Sequence, residues 1–128
     1  MPKTFWKLFA VVILGLVLQT AGRYANQKVY AANHDSMPVW CLSEEVCFDM
    51  IGDPDHSVLT GQSKYPILAD ILPIWKFRDG GVEVEGMASV GDVGIIGGLL
   101  VFELGFVVLV ANLIFEPIFR LWKYFLTK

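Results

Sequence analysis

The sequence predicts a mainly α-helical membrane protein. It has two transmembrane helices with both termini cytoplasmic, an extracytoplasmic loop domain containing a small β-hairpin, and a C-terminal interfacial helix. Three observations carry this reading. The 128 residues are 55% hydrophobic with a mean hydropathy of +0.54, above the usual apolar share of soluble domains. Two apolar runs lie towards opposite ends of the chain. The charges are also segregated: Lys3 and Lys7 give +2 at the start, Glu116, Arg120, Lys123 and Lys128 give +2 at the end, and residues 23–92 hold 5 basic against 11 acidic residues. Basic flanks collect on the cytoplasmic side of a membrane, so the acidic middle belongs outside. Disorder, collagen and a disulfide-dense toxin are excluded by the composition. With a pI near 5.2 no basic face exists for nucleic acid.

The elements follow in order. Residues 1–28 form a signal-anchor helix. Its apolar core, residues 8–18, reaches only about 16 Å of the roughly 30 Å hydrocarbon thickness, so to span, the helix must run on past Arg23 towards Gln27. The QTAG that follows the core is a poor cleavage site, which favours a retained anchor over a removed signal peptide. Residues 29–92 form the extracytoplasmic domain, where Pro38, Pro54, Pro66 and Pro73 break the chain into short pieces. Within it, Trp75 and Phe77 alternate with Lys76 and Arg78, then Asp79, Gly80 and Gly81 supply a turn, and Val82 and Val84 alternate with Glu83 and Glu85. That is a hairpin with one charged face, across which opposite charges pair. Residues 93–116 are the second span, with Glu103 its single internal charge. Residues 117–128 start at a proline and alternate Phe119, Trp122 and Leu126 with Arg120, Lys123 and Lys128, the pattern of a helix lying in the interface. Trp6 and Trp122 suit the inner headgroup layer, and Trp40 and Trp75 the outer one.

Several groups of residues bear on function. Cys41 and Cys47, the only cysteines, enclose five residues. On the oxidising side they are expected to form a disulfide, worth roughly 2–3 kcal/mol for so short a loop. His34, Asp49, Asp53, Asp55 and His56 lack the regular oxygen spacing of a calcium loop and read as a solvated acidic loop, so neither metal nor cofactor is expected. Gly94 and Gly98 make a GxxxG step that Gly105 continues, a seam for close helix contact within the hairpin of spans or with another subunit. Glu103 points away from that seam, and Arg23 lies at membrane depth; each wants protein neighbours. Asp70, set among apolar residues, and Asp92, at the mouth of the second span, are two carboxylates at a membrane surface. They admit two readings: an acid–base pair that activates water, or a loop residue and a helix cap, with Asp92 taking the N–H groups of residues 93–95 and Asp70 a loop amide or Lys64.

Three segments then carry a resemblance: NHDSMPV at residues 33–39, YPILADILPI at 65–74 and MASVGDVGIIGGLL at 87–100. They resemble the second half of an uncharacterised bacterial membrane-protein family. Its members carry an Asn-Gly-Gly-x-Met-Pro-Val step, a Leu-Gly-Asp-x-Ile-Pro step and a Ser-x-Gly-Asp opening of the last span. The likeness runs over roughly residues 10 to 110 and implies a bacterial inner-membrane location, but no activity. More faintly, the same segments resemble the last third of lipoprotein signal peptidase. That likeness would make Asp70 and Asp92 a catalytic dyad and align Asn33 with a family Asn. Ser89 stands where that family has Asn, its Gly-Asn…Asp-Arg stretch is missing, and two spans replace four. Two functions are therefore expected in competition. One is a non-catalytic accessory subunit bound to integral membrane partners in a lipid bilayer. The other is a membrane aspartic peptidase using Asp70 and Asp92, with Asn33 and Ser89 beside them.

Overall fold

The computed structural model describes residues 3–42, 47–48, 52–78 and 81–127. The chain divides into two compact units, Met1–Gln19 with Ile96–Lys128, and Thr20–Ile95. Its elements in order are helix α1 (Lys3–Ala32), strand β1 (Met37–Val39), strand β2 (His56–Val58), a 3-10 turn (Pro66–Leu68), strands β3 (Leu72–Arg78) and β4 (Gly81–Ala88), and helix α2 (Val90–Leu126). Both helices are long and apolar enough to cross a membrane, as the hydropathy pattern predicts.

In the first unit the helices approach backbone to backbone. A Cβ on Gly98 would collide with the backbone N of Gln19 and come within 2.6 Å of the Gly15 carbonyl oxygen. One on Gly15 would stand 2.5 Å from the Phe102 nitrogen, and Gly105 faces Val11 and Val12. The expected glycine seam is thus used inside the chain, where small residues let dispersion act between helix backbones. Around it the helix surfaces stay apolar and open, with Leu104, Val107 and Phe115 all more than half exposed.

Helix α2 does not stop at the proline. The expected separate interfacial helix of residues 117–128 is replaced by one helix of 37 residues that runs through Pro117. Proline lacks one N–H and forfeits one i→i−4 bond; here the flanking turns continue, helped by the i,i+4 pair of Glu116 and Arg120. The start is also earlier than the apolar run suggests, at Val90, because Ser89 caps it. Ser89 Oγ accepts the Asp92 N–H at 2.9 Å and Asp92 Oδ2 accepts the Ser89 N–H at 2.9 Å, a reciprocal capping box. The sequence reading made Asp92 the cap for residues 93–95; Ser89 holds that position, and Asp92 is its partner three residues on.

In the second unit α1 ends at Ala32 in a left-handed turn at His34 and Asp35, both with φ 58°, conformations that His and Asp tolerate better than most residues. The Asp35 N–H reaches back to the Tyr30 carbonyl at 2.9 Å, satisfying a helix-end acceptor. β1 and β2 pair in parallel, Met37 opposite His56 and Val39 opposite Val58. β3 and β4 form the expected antiparallel hairpin, with Trp75 opposite Val84, Phe77 opposite Val82 and an irregularity between Ile74 and Trp75. Lys76 pairs with Glu85 on the charged face, an exposed pair worth at most about 1 kcal/mol. Of the predicted turn, Asp79 and Gly80 lie outside the described residues. The buried core of this unit is small: Val29, Met37, Pro38, Val39, Ala69 and Met87.

Two stability outcomes follow. Gly98→Leu forces the helix backbones apart and is expected to cost at least about 1–3 kcal/mol. Gly97→Leu, whose Cβ would meet nothing within 4 Å, should leave stability unchanged. Thermal unfolding in detergent compares the two. Ser89→Ala removes the cap and is expected to cost about 1–2 kcal/mol, read as a lower midpoint with the same helical content at low temperature.

Candidate functional site

β1 lies between two neighbours. On one side β2 is bracketed by the bonds Met37 N–H to Asp55 O and Leu59 N–H to Val39 O, both 2.8 Å. On the other, Asp70 acts as a one-residue strand: its N–H donates to the Pro38 carbonyl and its carbonyl accepts the Trp40 N–H, both at 2.9 Å. Proline at the centre of β1 gives up a donor but keeps the acceptor that Asp70 uses. The Asp70 backbone is therefore fixed, and its side chain goes where the strand directs it, into the unit.

That side chain is 5% exposed. Asp70 Oδ2 faces His56 Nε2 at 3.4 Å, and on the far side of the ring Nδ1 stands 3.5 Å from Asp53 Oδ2. Among the described residues, Asp70 Oδ1 and His56 Nδ1 are both buried without a hydrogen-bond partner. Burial pushes the Asp70 carboxyl up from 3.8 to about 6, the charge of Asp92 adds to the rise, and His56 opposes it. One carboxyl group thus holds its proton up to a pH of about 6.

Asp92 has the opposite environment. Its Oδ1 accepts from Asn26 Nδ2 at 2.7 Å; its Oδ2 accepts the Ser89 N–H and lies 2.8 Å from Ser89 Oγ. Ser89 Oγ is also 2.8 Å from Asn26 Oδ1, so its single proton serves one of two acceptors. Asn26 reaches this position because residue 91 is glycine: a Cβ there would occupy the place of Asn26 Oδ1. Gly22 faces Gly91, Gly94 and Ile95 in the same stretch.

Of the residues singled out in the sequence, Asp92 and Ser89 bond directly, and the charge of Asp92 reaches Asp70. Asn33 is elsewhere: its Nδ2 donates to the Lys64 carbonyl at 3.0 Å and its Oδ1 accepts the Lys64 N–H at 2.8 Å, clamping the loop to the end of α1. Lys64 is engaged there through its backbone, and Asp70 meets His56 instead of the expected lysine. Cys41 and Cys47 are at disulfide distance, with Cα atoms 5.0 Å apart. Glu103 and Arg23 are exposed on their helices. In the acidic loop Asp53 and Asp55 are exposed while His56 turns inward; Asp49 lies outside the described residues. Among the described residues no three His, Cys, Asp or Glu side chains gather to hold a metal. Sequence reasoning missed Asn26, which carries no motif. It also missed Gly15, Gly22 and Gly91, which a seven-residue spacing shared with Gly98 and Gly105 announces.

No curated protein and no solved structure matches the chain, so the likeness to lipoprotein signal peptidase gains no support. A family model does match, over residues 5–104, which include nearly all of α1, all four strands and the first part of α2. The chain belongs to the family of unknown function DUF5317.

Proposed function

We propose that the chain is a non-catalytic accessory subunit of a membrane protein complex, anchored by α1 and α2 with both termini in the cytoplasm and residues 29–92 outside. The observation that carries this reading is Glu103. It lies on the exposed surface of α2, away from the face that Gly98 and Gly105 press onto α1. No hydrogen bond or ion pair is made to it among the described residues. A carboxyl group at mid-bilayer depth is costly unless a neighbour bonds it, and the glycine seam already occupies α1. The neighbour is then a helix of a different membrane protein that presents a basic or hydrogen-bond-donating side chain at that depth.

The peptidase reading draws on the unlike surroundings of Asp70 and Asp92, which resemble those of an acid–base pair. Against it, Asp70 is 3% exposed and both Asp92 oxygens already accept hydrogen bonds, so neither carboxylate is both exposed and unpartnered. Support of a partner fits this arrangement better than hydrolysis does.

A photo-reactive residue at Leu104, beside Glu103, tests the proposal in native membranes. The expected product is a cross-link to one different membrane protein, at least tenfold weaker in Glu103→Leu and kept in Glu103→Gln. Cross-links to lipid alone, or to a second copy of the chain, would overturn it. Orientation has its own check. After reduction, an impermeant thiol reagent added outside intact cells should label Cys41 and Cys47; labelling only after the cytoplasmic face is opened would reverse the topology.

A further inference from the structure

We propose that Asp70 is a proton-binding site that locks strand β2 onto β1: a proton on its buried carboxyl keeps the His56 segment closed, and loss of that proton lets it open. The proposal is independent of what meets Glu103.

The geometry points to a proton as the ligand. Among the described residues Asp70 Oδ1 is buried and has no donor, and no group of three His, Cys, Asp or Glu that could hold a metal ion includes it. An ionised carboxylate there would be a desolvated charge with one oxygen unsatisfied, which is costly. A protonated carboxyl is neutral and still reaches His56 Nε2, 3.4 Å from its other oxygen. The charged and titratable groups around it are His56 on β2, Asp53 and Asp55 in the loop before β2, Asp92 on α2, and Tyr30 on α1, which interacts electrostatically with all four aspartates. Four carboxylates act on Tyr30, and two of them, Asp53 and Asp70, flank the single imidazole; negative charge is in excess, and a proton on Asp70 relieves it.

The two sides of Asp70 differ in how firmly they are held. Its backbone is tied to β1 through Pro38 and Trp40, so Asp70 cannot leave. β2 is three residues long, and its His56 side chain is the part that covers the carboxyl. When Asp70 ionises, water reaches it by displacement of the His56 segment. The sign follows from linkage. The carboxyl titrates at about 6 when closed and near 3.9 when hydrated. The closed form therefore binds the proton more tightly, and protons favour closure. That advantage is absent above pH 6, grows as the pH falls through about 6, and levels off below about 4.

Hydrogen exchange on the full chain in lipid nanodiscs tests this, read at the Leu59 amide that bonds to Val39 and corrected for intrinsic exchange rates. The expected result is about tenfold greater protection at pH 5 than at pH 7.5. Asp70→Asn, a permanently neutral side chain, should show protection that no longer depends on pH. Equal wild-type protection at the two pH values, or a pH dependence that survives Asp70→Asn, would overturn the proposal. Should that variant fail to fold, carbon NMR of the wild-type Asp70 carboxyl decides: a midpoint near 6 supports the site, and one near 4 sinks it.

Discussion

Ser89 is where a β-strand ends and a 37-residue helix begins, and it is 0% exposed. Its hydroxyl, its N–H and the Asp92 carboxyl satisfy one another, and Asn26 of α1 closes the set from the other side. Each member is required by a neighbour. Without Asp92 the Ser89 N–H is a buried orphan, without Ser89 the first turn of α2 loses its cap, and without glycine at position 91 Asn26 is displaced. A buried polar network of this kind stabilises only when complete. It sets the point at which the hairpin hands over to the helix, and its charge contributes to the environment that keeps Asp70 ready to take a proton.

The helices depend on a different constraint. Gly15 and Gly98 in one unit, and Gly22 in the other, put backbone against backbone, while Gly105 meets the Val11 and Val12 side chains and Gly91 the Asn26 amide. The contact is close and narrow, so most of each helix surface remains uncovered. Trp6, Leu104, Phe119 and Phe125 are each more than half exposed. In water that surface would drive association; against lipid tails it costs nothing. Glu103 lies on that surface too, and hydrocarbon would offer it no hydrogen bond.

Much of this was legible in the sequence, and the reasons differ by element. The two helices could be read because hydropathy over twenty residues averages out local accidents. The hairpin was legible because Trp75, Phe77, Val82 and Val84 alternate with charges at a period of two, and the cysteine pair because five intervening residues leave a closable loop. The parallel pairing of β1 with β2 was hidden: three-residue strands show no period, and their register is set by contacts 19 positions apart, Met37 with His56. The partner of Asp70 was hidden for the same reason. Pro117 misled because proline usually ends a helix, and the early start of α2 was missed because Asp92 was read as the cap when Ser89, three residues before it, fits the position better.

The hairpin has a consequence of its own. Among the described residues β3 and β4 pair only with each other, so each keeps a free outer edge, and Phe77 on β3 is 82% exposed. Such edges invite another strand to add on and grow into an aggregate. Here β3 carries Pro73, which has no N–H to offer, an irregularity at Ile74 and Trp75 that breaks the flat run, and Lys76. β4 places Glu83 and Glu85 along its length, followed by Gly86. A second hairpin laid alongside would bring like charges together or meet a missing donor. Crowded copies are thereby kept from sticking sheet to sheet, and the exposed aromatic face remains unspent.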